Sequence, residues 1–146
     1  DKLVYASGAS IEVRFLVTNR GTQPIYIGRN LGPCTGPDGF AALEILDEHG
    51  KDMQLSGCSG EGLHHADDEL VRWVTGGEAF VLLKPQEIYG SIAQYDVRTK
   101  PGKYRLVAEL YPAGIITEKQ KEMLSQRGIR ILQGPVAAPT LTVAVR

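Results

Sequence analysis

Alternation of apolar and polar residues over short segments is the feature that most constrains this chain. Ile11, Val13, Phe15 and Val17 alternate with residues such as Glu12, and this period of two predicts a strand with one buried face. Strand-like segments recur between turn residues at 24–27, 40–47, 71–74, 80–83, 88–95, 104–110 and 141–145. Eight or nine such segments predict an all-β sandwich or barrel. The turn-like residues 19–22 make 10–28 a predicted β-hairpin.

Two segments interrupt the strand pattern. Thr117-Glu118-Lys119-Gln120 fits a capping box, in which Thr117 caps the amide of Gln120. Arg127-Gly128 supplies a stop signal, so a short helix is predicted over 117–127, before the last strand. Residues 54–69 show no period and are predicted to form a long loop, and such loops are often functional or pinned.

Length and charge limit the classes of function. The 146 residues predict one domain, 1–146, with a single sizeable core. The formal net charge of −1 leaves no basic excess. Nucleic acid is not an expected partner, because a general nucleic-acid binder carries a basic excess. No stretch approaches the roughly 18 apolar residues that span a bilayer, so no membrane insertion is expected.

The two cysteines bear on the cellular compartment. Cys34 and Cys58 both lie in sequence rich in Gly, Pro and Ser, and their spacing fits no zinc motif. Free cysteines favour buried apolar segments, so the placement predicts one disulfide and hence an exported protein, secreted or periplasmic. The alternative is two unrelated loop thiols.

Tyr104 helps to choose among the all-β folds. It follows Pro101-Gly102-Lys103 at the start of a strongly alternating segment. This is the place of the tyrosine corner in immunoglobulin-like sandwiches, where the hydroxyl bonds to upstream backbone. We therefore predict a buried Tyr104 bonded to backbone near 98–101, although an ordinary strand tyrosine is the alternative. The predicted fold is an immunoglobulin-like antiparallel β-sandwich with one helix before its last strand.

Three stretches carry a family resemblance: Ile11-Glu-Val-Arg-Phe-Leu-Val-Thr-Asn-Arg-Gly-Thr-Gln-Pro-Ile25, Leu83-Lys-Pro-Gln-Glu87 and Lys100-Pro-Gly-Lys-Tyr-Arg-Leu106. They resemble the immunoglobulin-like domains of bacterial exported proteins and are similar to fibronectin-III-like and proteinase-inhibitor-like sandwiches. The resemblance covers chiefly 10–27 and 80–110 and implies the sandwich, not an activity. The chain departs from the pattern at Gln86, where the family usually has glycine.

One cluster could hold a metal ion. His64, His65 and Asp67 lie within a short stretch of the long loop, and imidazole and carboxylate are zinc ligands. Neighbours on a chain point apart, however, so a solvated loop is the favoured interpretation and no cofactor is expected. The segment 57–62 lacks the G-x-S-x-G spacing of a nucleophile elbow, so serine hydrolysis is not expected.

Aromatic residues supply the candidate ligand-binding surface. Trp73 is either a core tryptophan, which is favoured, or an exposed stacking platform. Tyr26, Tyr89, Tyr95 and Tyr111 form a binding surface if they emerge on one face, although tyrosine is common on strands without such a role.

These observations favour a non-enzymatic function. The chain is interpreted as a binding or accessory module of an exported bacterial protein, with protein or glycan as its ligand. The first alternative is a proteinase-inhibitor-like domain that presents an exposed loop. The second is a metal-assisted hydrolase built on His64, His65 and Asp67.

Overall fold

The computed structural model of the chain describes residues 3–31, 41–53, 66–96, 100–111 and 116–146. Strands dominate these residues, in agreement with the predicted all-β class, and two helices accompany them. In chain order the elements are β1 (Leu3–Tyr5), β2 (Ser10–Thr18), β3 (Ile25–Gly28), β4 (Ala41–Leu46), α1 (Asp67–Thr75), β5 (Phe80–Leu83), β6 (Ile88–Asp96), β7 (Gly102–Leu110), α2 (Glu118–Gln126), β8 (Val136–Ala137) and β9 (Leu141–Val145).

The larger sheet has the strand order β1-β9-β7-β4, with β8 also on β7. β7 pairs antiparallel with β4, β8 and β9, whereas β1 joins β9 in parallel. Glu109 of β7 faces Ala137, and Leu106 faces Leu141. The β8–β9 side therefore contains one extra residue between these pairs, which is the signature of a bulge.

β2 and β6 form a second, antiparallel ladder, with Ser10 opposite Asp96 and Thr18 opposite Ile88. β3 pairs antiparallel with β5. The β-hairpin predicted over 10–28 is therefore wrong, because β2 and β3 pair with successive parts of the later β5–β6 segment and not with each other. Residues 19–24 interrupt the ladder without folding β3 back onto β2.

A buried asparagine joins the two ladders where they meet. Asn19 is 9% exposed, and its side-chain amide donates to the carbonyl oxygens of Gln23 and Leu83, both at 2.8 Å. Its Oδ1 accepts from the Gly21 amide at 2.9 Å, and its own amide donates to the Glu87 carbonyl at 3.1 Å. Asn19 thus satisfies main-chain groups that the break in strand pairing would leave without partners.

The turn between β5 and β6 holds Gln86 in a backbone conformation that favours glycine. This residue has φ 65, a left-handed conformation that glycine adopts without steric cost and other residues do not. Its amide donates to the Asn19 carbonyl at 2.8 Å. Glycine in the resembled pattern fits the backbone at this turn, and glutamine here occupies the same conformation at some cost.

The buried side chains form two clusters that meet at Phe15. The smaller cluster lies among β4, β7 and β9 and consists of Leu43, Ile45, Tyr104, Leu106, Val143 and Val145. The larger one includes residues of both helices, among them Leu70, Val74 and Leu124. Val13 and Phe15 of β2 pack against the smaller cluster, so one face of the β2–β6 ladder covers the larger sheet.

Tyr104 makes the interaction predicted for it. The side chain is 6% exposed, and its hydroxyl donates to the carbonyl oxygen of Lys100 at 2.8 Å. This bond ties the start of β7 to the turn that precedes it.

The predicted helix before the last strands is confirmed as α2. Thr117 accepts from the Gln120 amide at 3.3 Å, and the Gln120 side chain accepts from the Thr117 amide at 3.1 Å, so both halves of the capping box are present. At the other end, Gly128 has φ 73 and supplies the left-handed residue with which many helices end.

The helix α1 corrects two predictions. Residues 71–74 are helical and do not form a strand, and the loop predicted over 54–69 is wrong for 67–69, which form the first turn of the helix. Leu70 and Val74 are buried one turn apart on the same helix face. The three residues Asp67–Glu69 place negative charge in the first turn, where it interacts favourably with the helix dipole and stabilises the helix. Four residues, of which three are apolar, are too few to distinguish strand from helix by their period, and the acidic residues before them were the missed signal.

Candidate functional site

Trp73, the first candidate ligand-binding residue, contributes to the core. It lies on α1, is half-buried, and packs against the larger buried cluster. Its ring meets that of Phe80 edge to face, with centroids 4.9 Å apart and planes at 83°, a favourable geometry for two aromatic rings. This placement supports the core interpretation over an exposed stacking platform.

The candidate tyrosines are engaged in different ways. Tyr26 is half-buried on β3 against the larger cluster, while Tyr89 on β6 donates its hydroxyl to the Arg29 carbonyl at 2.8 Å. Tyr95 lies on β6 opposite Ile11, and its side chain is outside the described residues. Tyr26 and Tyr89 are thus used in packing and in a main-chain hydrogen bond.

The metal cluster falls mainly outside the described residues, where His64 and His65 lie. Asp67 is exposed at the first position of α1. Within the described ranges, no group of three His, Cys, Asp or Glu side chains is arranged to hold a metal. The neighbouring Asp68 instead lies 3.7 Å from Arg127, just beyond α2. Cys34 and Cys58 are also outside the described residues, so the disulfide stays a prediction.

The outer face of the β2–β6 ladder carries an exposed apolar surface. Leu16, Ile88 and Ile92 are 66%, 65% and 56% exposed, and we call them the aliphatic patch. Gly90 lies opposite Leu16, with Ile88 and Ile92 two residues to either side of it. A Cβ on Gly90 would come within 2.8 Å of Leu16 Cδ2, so the leucine lies over the glycine. The three aliphatic side chains therefore form one continuous surface.

Polar residues surround the aliphatic patch. Arg14 lies opposite Ile92, Thr18 lies opposite Ile88, and both are exposed. Glu12 and Gln94 form the next pair on the same face and are also exposed. An apolar centre with a polar rim is the usual composition of a protein-binding surface.

Sequence reasoning missed the aliphatic patch, although a signal was present. Leu16 occupies a position where the alternation of β2 requires a polar residue, so residues 15–17 are apolar on both faces of the strand. Ile88 and Ile92 have the spacing of residues on one strand face. Only the pairing of β2 with β6 brings these two signals together.

A cleft of about 480 Å³ opens between β2 and the β8–β9 segment, and we call it the β2 cleft. Six consecutive residues of β2, 13–18, line one side. Consecutive strand residues point to opposite faces, so β2 presents its edge to the cleft. The other lining residues include Ala108 and Leu110 of β7 together with Val136 and Leu141, which are 51% and 53% exposed.

One charged group of the cleft lining is engaged by a neighbour. The Glu109 carboxylate accepts a hydrogen bond from the Tyr111 hydroxyl at 2.5 Å. This bond, assisted by burial, raises the pKa of the Tyr111 phenol above its usual value. At neutral pH the phenol therefore remains a donor to Glu109.

Comparison of the chain with family models, with curated proteins and with solved structures finds no match. Among the described residues, neither helix has the length and apolar character needed to cross a membrane.

Proposed function

We propose that this chain is a non-enzymatic module of immunoglobulin-like sandwich architecture that binds another protein through the aliphatic patch. The architecture is supported by strand order. In immunoglobulin-like sandwiches the second and fifth strands lie in one sheet, and the third, sixth and seventh form the other. In this proposal β2 and β6 correspond to the second and fifth strands, and they pair with each other. The strands β4, β7 and β9 correspond to the third, sixth and seventh, and they are successive neighbours in the larger sheet. The Tyr104 bond at the start of β7 fits the tyrosine corner of that arrangement.

The exposure of the aliphatic patch is the observation that carries the proposed activity. Full burial of a leucine or isoleucine side chain is worth ~1.5–3 kcal/mol. The three residues are slightly more than half exposed, so a partner that covers them gains on the order of 3–6 kcal/mol. Micromolar affinity requires about 8 kcal/mol. Contacts of the polar rim, including Arg14 and Glu12, must therefore contribute, and we expect binding to weaken at high salt.

Chemistry favours protein over glycan as the ligand. Glycan recognition depends on aromatic platforms with polar tips, whereas the aliphatic patch is made of Leu16, Ile88 and Ile92. Trp73, Tyr26 and Tyr89 are engaged in packing or main-chain bonding. The metal-assisted alternative needs His64 and His65, which lie outside the described ranges, and no described contact favours it or the inhibitor-like alternative. Export to the periplasm or cell exterior, with Cys34 bonded to Cys58, is part of the proposal.

Site-specific photocrosslinking tests the aliphatic patch. A photoreactive amino acid replaces Ile88 or Ile92 in the organism that expresses the protein, and Glu44 of β4, which is exposed on the other sheet, is the control position. We expect a discrete protein adduct from both patch positions and none from position 44. The added substitution Leu16→Asp should abolish the adduct while thermal unfolding stays cooperative.

Three results would contradict the proposal. The first is no adduct at either patch position, and the second is the same adduct from position 44. The third is an adduct of twice the chain's mass, which would assign the patch to self-association.

A further inference from the structure

The edge of β2 that faces away from β6 has no strand partner among the described residues. Within the described ranges, β2 pairs with β6 alone. Its nine residues keep an uninterrupted register with β6 and contain neither proline nor lysine. Proline, bulges and charged side chains, lysine above all, are devices that protect sheet edges from added strands. Of the residues 13–18 that line the β2 cleft, Arg14 is the one charged residue, and it lies on the exposed outer face.

Main-chain geometry identifies the groups on that edge. The Asn19 amide donates toward the β6 side, to the Glu87 carbonyl. In an antiparallel ladder, successive residues direct their main-chain groups to opposite sides. The N–H and C=O groups of Thr18, Leu16 and Arg14 therefore face away from β6, along the part of β2 that lines the β2 cleft.

The opposite wall of the β2 cleft is less suited to pairing. It includes Ala137, Ala138 and Pro139, in the region of the bulge between β8 and β9. Proline has no N–H to donate, and the Ala138 amide already donates to the Ala108 carbonyl at 2.8 Å. This wall therefore offers apolar contact, whereas β2 offers both apolar contact and main-chain hydrogen bonds.

We propose that the free edge of β2 captures an extended segment of a partner polypeptide by β-strand addition. The segment pairs with residues 13–18, which span ~20 Å at about 3.3 Å per residue. Its side chains alternate, so three of six point into the β2 cleft and are apolar. The other three extend the outer face and are polar.

The apolar space of the β2 cleft and the main-chain groups on its β2 edge together favour a strand over a small molecule. The volume of about 480 Å³ lies within the ~300–1,000 Å³ of ligand sites. A compact apolar ligand, however, would leave the edge groups of Arg14, Leu16 and Thr18 covered but without hydrogen-bond partners, at a cost of ~1–3 kcal/mol each. A strand satisfies these groups and fills the apolar space together, which is the mode of β-augmentation.

This site is distinct from the aliphatic patch, because it uses the edge of β2 and the patch uses its outer face. Either proposal can fail without the other. The test of strand addition measures the protection of main-chain amides at the edge of β2. The test of the aliphatic patch measures crosslinks formed at its outer face.

The probe is the labelled peptide Lys-Ser-Val-Thr-Val-Thr-Val-Lys, added to the intact chain. Its matched control has the same side chains but carries N-methyl groups at the positions whose N–H would face β2. We expect the control to bind at least about tenfold more weakly, because it loses the main-chain donors. Thr18→Pro, which removes one edge N–H, should weaken binding of the unmodified peptide severalfold relative to Thr18→Ala.

Amide hydrogen exchange locates the bound peptide. In the free protein, the amides of Val13, Phe15 and Val17 should exchange slowly because they face β6, and those of Arg14, Leu16 and Thr18 should exchange fast. Saturating peptide should slow the second set. Unchanged exchange there, no detectable binding, or equal binding of the N-methylated peptide would overturn strand addition. The second set of amides could also become protected without peptide as the protein concentration rises. That result would mean that a second copy of the chain binds the edge, and it would overturn the proposed partner.

Discussion

Replacing Asn19 by alanine should destabilise the fold more than any surface substitution. The side chain makes three main-chain hydrogen bonds, to the carbonyls of Gln23 and Leu83 and to the Gly21 amide. The bond to Leu83 is buried, and a buried group left without a partner costs about 1–3 kcal/mol. The other two bonds are partly buried, where water can replace the lost side chain. We expect Asn19→Ala to lower the free energy of unfolding by ~2–4 kcal/mol.

Urea unfolding followed by circular dichroism measures this loss. The midpoint should fall while the slope with denaturant is unchanged, since the surface exposed on unfolding stays nearly constant. Gln23→Ala is the matched control, because Gln23 contributes only its main-chain carbonyl to the contact and is exposed. It should change stability by less than about 0.5 kcal/mol.

Asn19→Asp separates hydrogen bonding from side-chain shape. The introduced carboxylate is nearly the same size and can still accept from Gly21, but it donates nothing to the carbonyls of Gln23 and Leu83. At neutral pH we expect it to destabilise at least as much as alanine. Protonation at acidic pH restores one donor, so its difference from the wild type should narrow there. A loss below about 1 kcal/mol for Asn19→Ala, or wild-type stability of Asn19→Asp at neutral pH, would refute the bridging role.

Three further substitutions test local features of the fold by the same unfolding assay. Tyr104→Phe leaves the Lys100 carbonyl without its donor and should cost ~1–3 kcal/mol; a change within error would count against the corner. Gln86→Gly should stabilise by about 0.5–1 kcal/mol, because relief of the left-handed strain (~1–2 kcal/mol) exceeds the added entropy of the unfolded chain (~0.4–1 kcal/mol), whereas Gln86→Ala should give no gain. Thr117→Ala removes the cap of α2 and should cost ~0.5–2 kcal/mol, while Thr117→Ser should retain most of the stability.

The candidate site was predictable from the sequence only in part. The sequence singled out aromatic residues, but Trp73 packs edge to face on Phe80 and Tyr89 bonds to Arg29. The surface that the structure presents instead consists of Leu16, Ile88 and Ile92, which come from two segments distant in the chain. A single segment shows which residues share its own face, but whether that face is covered depends on the neighbouring strands.

Local patterns in the sequence determined the elements whose causes are local. The alternation in 11–17 predicts β2, the capping box at Thr117 sets the start of α2, and the Pro-Gly turn places the Tyr104 bond. Each depends on residues within a few positions of one another, so neighbouring chemistry suffices. The segment 71–74 fits a strand or a helix, because four residues with three apolar ones are too few to define a period. Burial of Leu70 and Val74 on one helix face favours the helix.

Tertiary structure alone decided which strands pair. A turn-like sequence at 19–22 suggested that β2 and β3 form a hairpin, yet β2 pairs with residues 70 to 86 positions away and β3 with residues 52 to 58 positions away. The same turn residues can interrupt a strand or reverse its direction. Which of the two occurs depends on the groups elsewhere in the chain that form hydrogen bonds with the main chain before and after the turn. Here Asn19 bridges the interruption by bonding to Leu83, a residue that only folding brings near. The β2 edge that no described strand covers, and the β2 cleft beside it, follow from that pairing, since an edge exists only relative to the strands around it.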